Sequence, residues 1–285
     1  MNKRMRRIQR HGISALLLLL PLAVFAESAT TQREHTSGIV GEWSPREDSE
    51  PALFINEPMY LVVGGDGEDI KARLQFSFKY RMLDTDGSIV KHAPWLAPLH
   101  LGYTQTTLWN LSADSSPFED SSCRPSLFWE FVNIERWGMP DLLRLGYEHE
   151  SNGQDGEDSR SVDTLFVFPA WETQVAGRHL VAGVKLFAYL ARGSETSDIE
   201  NYRGYSELII RYGNEDGWLM TSMWRHGTEN RHRVQIDLSY PIRMSFFFRS
   251  GGYFFIQTMH GYEESLITYD QRQELTARLG FAIVR

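Results

Sequence analysis

From Lys71 to Met82 the chain alternates without a break: Lys71, Arg73, Gln75, Ser77, Lys79 and Arg81 fall on one face of an extended strand, and Ala72, Leu74, Phe76, Phe78, Tyr80 and Met82 on the other. Strands of soluble proteins usually stop after about 5–6 residues. The pattern returns at 233–240, where Arg233, Gln235, Asp237 and Ser239 oppose Val234, Ile236, Leu238 and Tyr240. It returns again at 274–283, where Glu274, Thr276 and Arg278 oppose Leu275, Ala277, Leu279, Phe281 and Ile283. A soluble sandwich alternates too, but over shorter strands. Runs of about 9–11 residues with one apolar face are what a strand needs to cross a bilayer around a polar interior. The expected fold is therefore all-β, a transmembrane antiparallel up-and-down β-barrel. Further candidate strands at 58–64, 98–110, 126–135, 141–151, 161–174, 179–191, 203–213, 217–226 and 252–262 bring the total to twelve. Turn-forming stretches such as RYGNEDGW (211–218) and SYPIRM (239–244) separate them. Several tryptophans, among them Trp95, Trp109, Trp129, Trp137, Trp171, Trp218 and Trp224, lie near strand ends, as in the aromatic girdles of membrane proteins.

The first residues have a basic start, an apolar run from Ile13 to Phe25 and small residues at Val24 and Ala26, which predicts a secretory signal peptide over 1–26. The apolar run is too short for the ~20 residues of a spanning helix. That segment holds five of the 29 basic residues and none of the 37 acidic ones. The remainder, with 24 basic against 37 acidic residues, carries a formal charge of about −13, which excludes nucleic acid as a natural partner. Residues 27–56 show no clear period and read as an N-terminal periplasmic extension, with the barrel over 57–285. The one cysteine, Cys123, has no mate for an intrachain disulfide and reads as a loop residue without a role.

One strand breaks the rule that the outward face is apolar. In DLLRLGYEHES (141–151), Arg144, Gly146, Glu148 and Glu150 form the inward face, and Leu143, Leu145, Tyr147, His149 and Ser151 the outward one. A polar group facing hydrocarbon is costly unless it has a partner. The next strand places Asp163 on the face of Leu165, Val167 and Trp171, and an antiparallel hairpin sets loop end beside loop end. Asp163 can then stand beside His149. Ser151 would attack an ester carbonyl, His149 would carry the proton and Asp163 would fix the imidazole tautomer. The backbone amides of Asn152 and Gly153 are the nearest oxyanion donors. The competing reading makes all three side chains ordinary rim residues, and residue spacing alone leaves both standing.

The stretch YEHESNGQDGEDSRSVD resembles the active-site segment of the outer-membrane phospholipase A family. GYTQTTLWNLSADSSPFEDSSCRPSLF (102–128), LSYPI (238–242) and GYEESLITYDQ (261–271) are similar to that family as well. The resemblance runs from about residue 58 onward. It implies a twelve-stranded outer-membrane barrel, and hydrolysis of the acyl esters of phospholipids and lysophospholipids, at the A1 or A2 position. It implies nucleophile, base and orienting residue at Ser151, His149 and Asp163, and the oxyanion amide at Gly153. It also implies Ca2+ dependence, with oxygens from the Ser159 hydroxyl, the Gln154 carbonyl and, across a homodimer, the Ser115 hydroxyl, and it places Gln105 in the dimer interface against its symmetry mate. Calcium accepts such hard oxygen ligands. The acidic DGED at 155–158 recurs at 66–69 and reads in both places as a solvated turn.

Two departures stand out. Asp163 occupies a position where well-known members carry Asn, so the orienting residue here is charged and harder to desolvate. The C-terminal LGFAIVR lacks a terminal aromatic, leaving Phe281 as the nearest substitute. Residues 243–251 exceed the family's turn and have no functional reading. The rivals are a non-enzymatic barrel, either a small pore or a structural protein, a lipid A deacylase on a smaller barrel, and a soluble periplasmic hydrolase. A pore gives no reason to gather Ser, His and Asp on the lipid side.

Overall fold

A computed structural model describes residues 52–67, 69–134, 138–242 and 251–285. The signal segment, the N-terminal extension up to residue 51, Trp137 and residues 243–250 of the insertion at 243–251 lie outside the described residues. The strands are β1 (Leu53–Phe54), β2 (Met59–Gly65), β3 (Ile70–Arg81), β4 (Leu99–Asn110), β5 (Phe118–Val132), β6 (Leu142–Ser151), β7 (Ser161–Val175), β8 (Arg178–Arg192), β9 (Ser206–Gly213), β10 (Leu219–His226), β11 (His232–Pro241), β12 (Tyr253–Tyr262) and β13 (Arg272–Val284). From β2 to β13 each strand pairs antiparallel with the next, and β13 returns to pair with β2, with Phe281 opposite Leu61. The sheet is thus a closed twelve-stranded barrel, which leaves no unpaired edge for the membrane to desolvate.

The alternation sorts the side chains as the sequence requires. On β3, Arg73, Ser77 and Lys79 are buried in the lumen while Phe76 and Tyr80 are exposed, and on β13 Thr276 and Arg278 are buried while Leu275, Leu279 and Phe281 are exposed. Trp95, Trp171, Trp218 and Trp224 are also on the outside, and Trp95 stacks on Trp129 at 6.3 Å.

The lumen combines an apolar cluster, formed by Phe128, Leu142, Phe166, Phe168 and Leu219 among others, with a network of ion pairs. Glu130 receives Lys79 Nζ and Arg144 Nε, both at 2.6 Å. Glu148 receives Lys185 at 2.9 Å and Glu150 receives Arg203 at 2.7 Å. A buried charge is tolerated when it is paired and hydrogen-bonded. Both ends are also closed. At one, residues 263–271 fold inward: Glu263 pairs with Arg203 and Arg225, Glu264 with Arg278, and Asp120 accepts the amides of Leu266 and Ile267.

At the other end the chain enters the barrel earlier than the expected boundary at 57. Leu53 and Phe54 pair with Tyr80 and Lys79, on the same strand that takes Tyr60 opposite Gln75. β1 therefore continues the line of β2, and residues 55–58 between them bow into the lumen. There the Glu57 carboxylate takes Arg124 at 2.6 and 2.5 Å, and Arg144 reaches Asn56 at 3.3 Å. What remains between these closures is a cavity of about 210 Å³ lined by charged side chains such as Arg73, Arg233, Glu207 and Asp237.

β5 differs from its sequence expectation. It begins at Phe118 instead of 126, and Cys123 sits in mid-strand, opposite Gln105 on β4 and opposite Ser151 on β6. The loop reading of Cys123 is therefore corrected. The cause is a polar outer face: Ser121 and Cys123 share it, so the period-two hydrophobic signal is missing just there.

Candidate active site

The hairpin of β6 and β7 brings the expected residues together. His149 and Asp163 are directly opposed, as are Ser151 and Ser161. His149 Nδ1 lies 2.7 Å from Asp163 Oδ1, a charge-assisted distance. With the proton on Nδ1, that bond leaves Nε2 as an acceptor, the tautomer a general base needs. All three side chains stand on the outer surface near the loop end of the hairpin, in line with Tyr147 and Leu165, which are 39% and 48% exposed. Among the described residues the Ser151 hydroxyl makes no hydrogen bond, so it is free to turn toward Nε2; such contacts commonly close only in the Michaelis complex.

One partner was not read from the sequence. The Tyr147 hydroxyl donates to the same Asp163 oxygen at 2.6 Å. The available signal was its position two residues before His149 on the same face.

The loop 152–160 is built around Asn152, which is buried. Its side-chain amide donates to the Asp158 carbonyl at 2.9 Å, and its carbonyl oxygen accepts the backbone amides of Arg160 at 2.9 Å and Gln154 at 3.4 Å. Its own backbone amide donates to the Arg160 carbonyl at 3.1 Å. The expectation that this amide could serve an oxyanion is therefore corrected, because the donor is already spent on closing the loop. The Gly153 amide has no partner among the described residues. Gly153 sits at φ +67°, where a side chain would strain the backbone, and nothing crowds the place a Cβ would take.

Two of the oxygens expected to hold calcium lie in one loop. The Ser159 hydroxyl and the Gln154 carbonyl belong to this pinned loop and have no hydrogen-bond donor among the described residues, and Asp155, Glu157 and Asp158 are exposed around them. A hydroxyl and a backbone carbonyl are hard oxygen donors, the kind that calcium accepts. Arg160 braces the loop by donating to the Glu157 and Ser159 carbonyls at 2.6 and 3.0 Å. Ser115 lies in the separate β4–β5 turn, exposed and at φ +63°.

Gln105 lies on the outer surface as expected, and its own chain satisfies it. Its carbonyl oxygen accepts the Tyr103 hydroxyl and its amide donates to Ser121, both at 3.0 Å. Ser121 shares a hydrogen bond with Thr107 at 2.9 Å, and Tyr103 also reaches Cys123 Sγ at 3.2 Å. Since Cys123 opposes Ser151, this polar patch adjoins the serine. Behind it, on the lumen side, Glu148 and Glu150 flank His149 in sequence and anchor β6 to Lys185 and Arg203.

The fold and the sequence both have known counterparts. The structure of outer membrane phospholipase A from Escherichia coli superposes with a TM-score of 0.70 at 23% identity, over 87% of this chain and 97% of that one. The Salmonella typhi outer membrane phospholipase dimer with bound calcium gives 0.68 at 22%, over 84% and 94%. Phospholipase A1 of Escherichia coli K12 is 27% identical across 94% of this chain and 95% of the relative, and that of Salmonella typhimurium 28% across 98% of each. The family model for phospholipase A1 matches residues 49–284. The chain belongs to the phospholipase A1 family.

Proposed function

We propose that the protein is a calcium-dependent outer-membrane phospholipase that cleaves acyl esters of phospholipids and lysophospholipids with a Ser151–His149–Asp163 triad on its lipid-facing surface. The His149–Asp163 hydrogen bond at 2.7 Å, on a face that should be apolar, carries this reading. A polar pair that faces lipid is expensive to maintain, and as a rim decoration it would gain nothing.

Ser151 Oγ attacks the ester carbonyl carbon as its proton passes to His149 Nε2. Asp163 steadies the imidazolium that results, and the Gly153 amide donates to the oxyanion. Collapse of the tetrahedral adduct expels the lysophospholipid oxygen, which takes the proton back from His149. Water, deprotonated by the same imidazole, then releases the fatty acid from Ser151. Ser159 and the Gln154 carbonyl would hold the calcium ion, with Ser115 of the partner subunit completing the set in a homodimer. When bound, the ion supplies positive charge to the developing oxyanion. Gln105 and its neighbours form a surface that a second copy can cover without stranding a polar group, which supports dimerisation on this side. An outer-membrane setting suits the closed barrel and its apolar outer face, with residues 1–26 as the signal peptide and 27–56 on the periplasmic side.

The test is fatty-acid release from phospholipid in micelles by refolded wild type and Ser151→Ala, each with calcium and with chelator. Release by wild type with calcium, abolished by the substitution and by the chelator, is the expected result. Release by Ser151→Ala equal to wild type removes the nucleophile.

A further inference from the structure

On the triad reading, Asp163 must stay anionic on a surface that meets lipid, where an uncompensated carboxylate is costly. His149 supplies one donor. Among the described residues the only other hydrogen bond to this carboxylate comes from the Tyr147 hydroxyl, at 2.6 Å, and it meets the same oxygen, Oδ1, that accepts His149 Nδ1. The three groups are arranged by backbone geometry alone. Tyr147 and His149 are two residues apart on one face of β6, and β7 places Asp163 directly across from His149 and diagonal to Tyr147, within reach of a long aromatic side chain.

We propose that Tyr147 is a positioning residue of the hydrolytic reaction: its hydroxyl holds the Asp163 carboxylate in the plane of the His149 imidazole and shares its negative charge. The proposal rests on the triad reading. Two donors on one oxygen fix that oxygen in position, so the imidazole it orients has a single place to stand. Sharing the charge also keeps Asp163 from gripping the imidazolium too strongly, so His149 can return its proton to the leaving alcohol. A neutral residue at position 163 would have far less need of such a donor.

The test is Tyr147→Phe in two backgrounds, wild type and Asp163→Asn, with folding checked by the mobility of the unheated barrel in gel electrophoresis. With Asp163 present, kcat should fall about tenfold, as expected for loss of a hydrogen bond to a charged group, with KM unchanged. With Asp163→Asn the same substitution should cost no more than about twofold, because the charge it serves is gone. Equal losses in both backgrounds, or a loss carried by KM, would show that Tyr147 only packs. A second readout needs no turnover: the proton NMR resonance of His149 Nδ1–H in micelles. It should move downfield in Tyr147→Phe, as Oδ1 becomes a stronger acceptor, and an unchanged resonance overturns the proposal. If Tyr147→Phe shows that shift yet wild type releases no fatty acid in a Ser151-dependent way, the positioning of Asp163 stands and the phospholipase reading falls.

Discussion

Asn152 shows how a single side chain can decide the state of a site. It makes three hydrogen bonds from a buried position and so sets both the Gly153 amide and the Ser159 end of the loop. Each such bond contributes about 0.5–1.5 kcal/mol, which is enough to order a nine-residue turn but small against a whole barrel. Asn152→Ala should therefore raise the calcium concentration for half-maximal release by about tenfold, the equivalent of ~1.4 kcal/mol, while the barrel's resistance to unfolding stays within error. A calcium titration of activity checks it; an unchanged midpoint would separate Asn152 from the proposed calcium site. At this scale the sequence was informative for His149, Ser151 and Asp163, because a polar residue on an apolar face breaks a period that holds elsewhere. It was silent on Tyr147, since an aromatic on the lipid side of a strand satisfies the pattern and hides its hydroxyl. It misled on Asn152, whose amide looked free in a string of letters and is committed once the loop closes.

The strands tell the complementary story. β3, β11 and β13 could be placed to within a few residues because their outer faces meet lipid and must be apolar. β5 could not, since from Phe118 to Pro125 its outer face carries Ser121 and Cys123 beside Gln105, Thr107 and Tyr103. The hydrophobic period fails wherever the outer surface is reserved for something other than lipid, so a missing period is itself a marker of function on a barrel. Cys123 makes this testable. Facing outward and opposed to Ser151, it should react with a lipid-soluble maleimide in chelator-treated micelles, and the adduct should then block fatty-acid release on adding calcium. Cys123→Ala should retain release and resist the reagent. Full activity after stoichiometric labelling would place Cys123 away from the substrate path.

Across the whole molecule, buried ion pairs share the lumen with the apolar cluster around Phe128 and Phe166. Glu130, with a nearly inaccessible side chain, neutralises Lys79 and Arg144. Glu130→Ala strands both cations and should lower unfolding free energy by about 3–5 kcal/mol, read from denaturant unfolding in micelles. An effect below about 1 kcal/mol would mean that water enters and relieves the pair. The same logic gives the loop 263–271 a pH dependence. Burial disfavours the Glu263 carboxylate, but Arg203, Arg225 and Arg233 outweigh it and hold its pKa at about 2, below the ordinary 4.5. A depressed folded pKa contributes stability that is present above the unfolded value and lost as pH falls toward the folded one. Pepsin should therefore leave this loop intact near pH 4.5 and cut it as pH approaches 2, whereas Glu263→Gln should be cut throughout that range. Equal protection of both proteins would remove the clamp. None of these pairings was legible in the sequence beyond the inward placement of the charges, because alternation gives the face of a residue and not its partner across the lumen.

In the proposed mechanism a serine on the lipid-facing wall is made nucleophilic by its neighbour His149. The most direct measurement is covalent capture with a long-chain sulfonyl fluoride in calcium-containing micelles, followed by peptide mass spectrometry. One adduct per chain on Ser151, lost in His149→Ala, is the predicted result. No adduct, or an adduct on Ser151 that forms at the same rate without His149, would contradict the account.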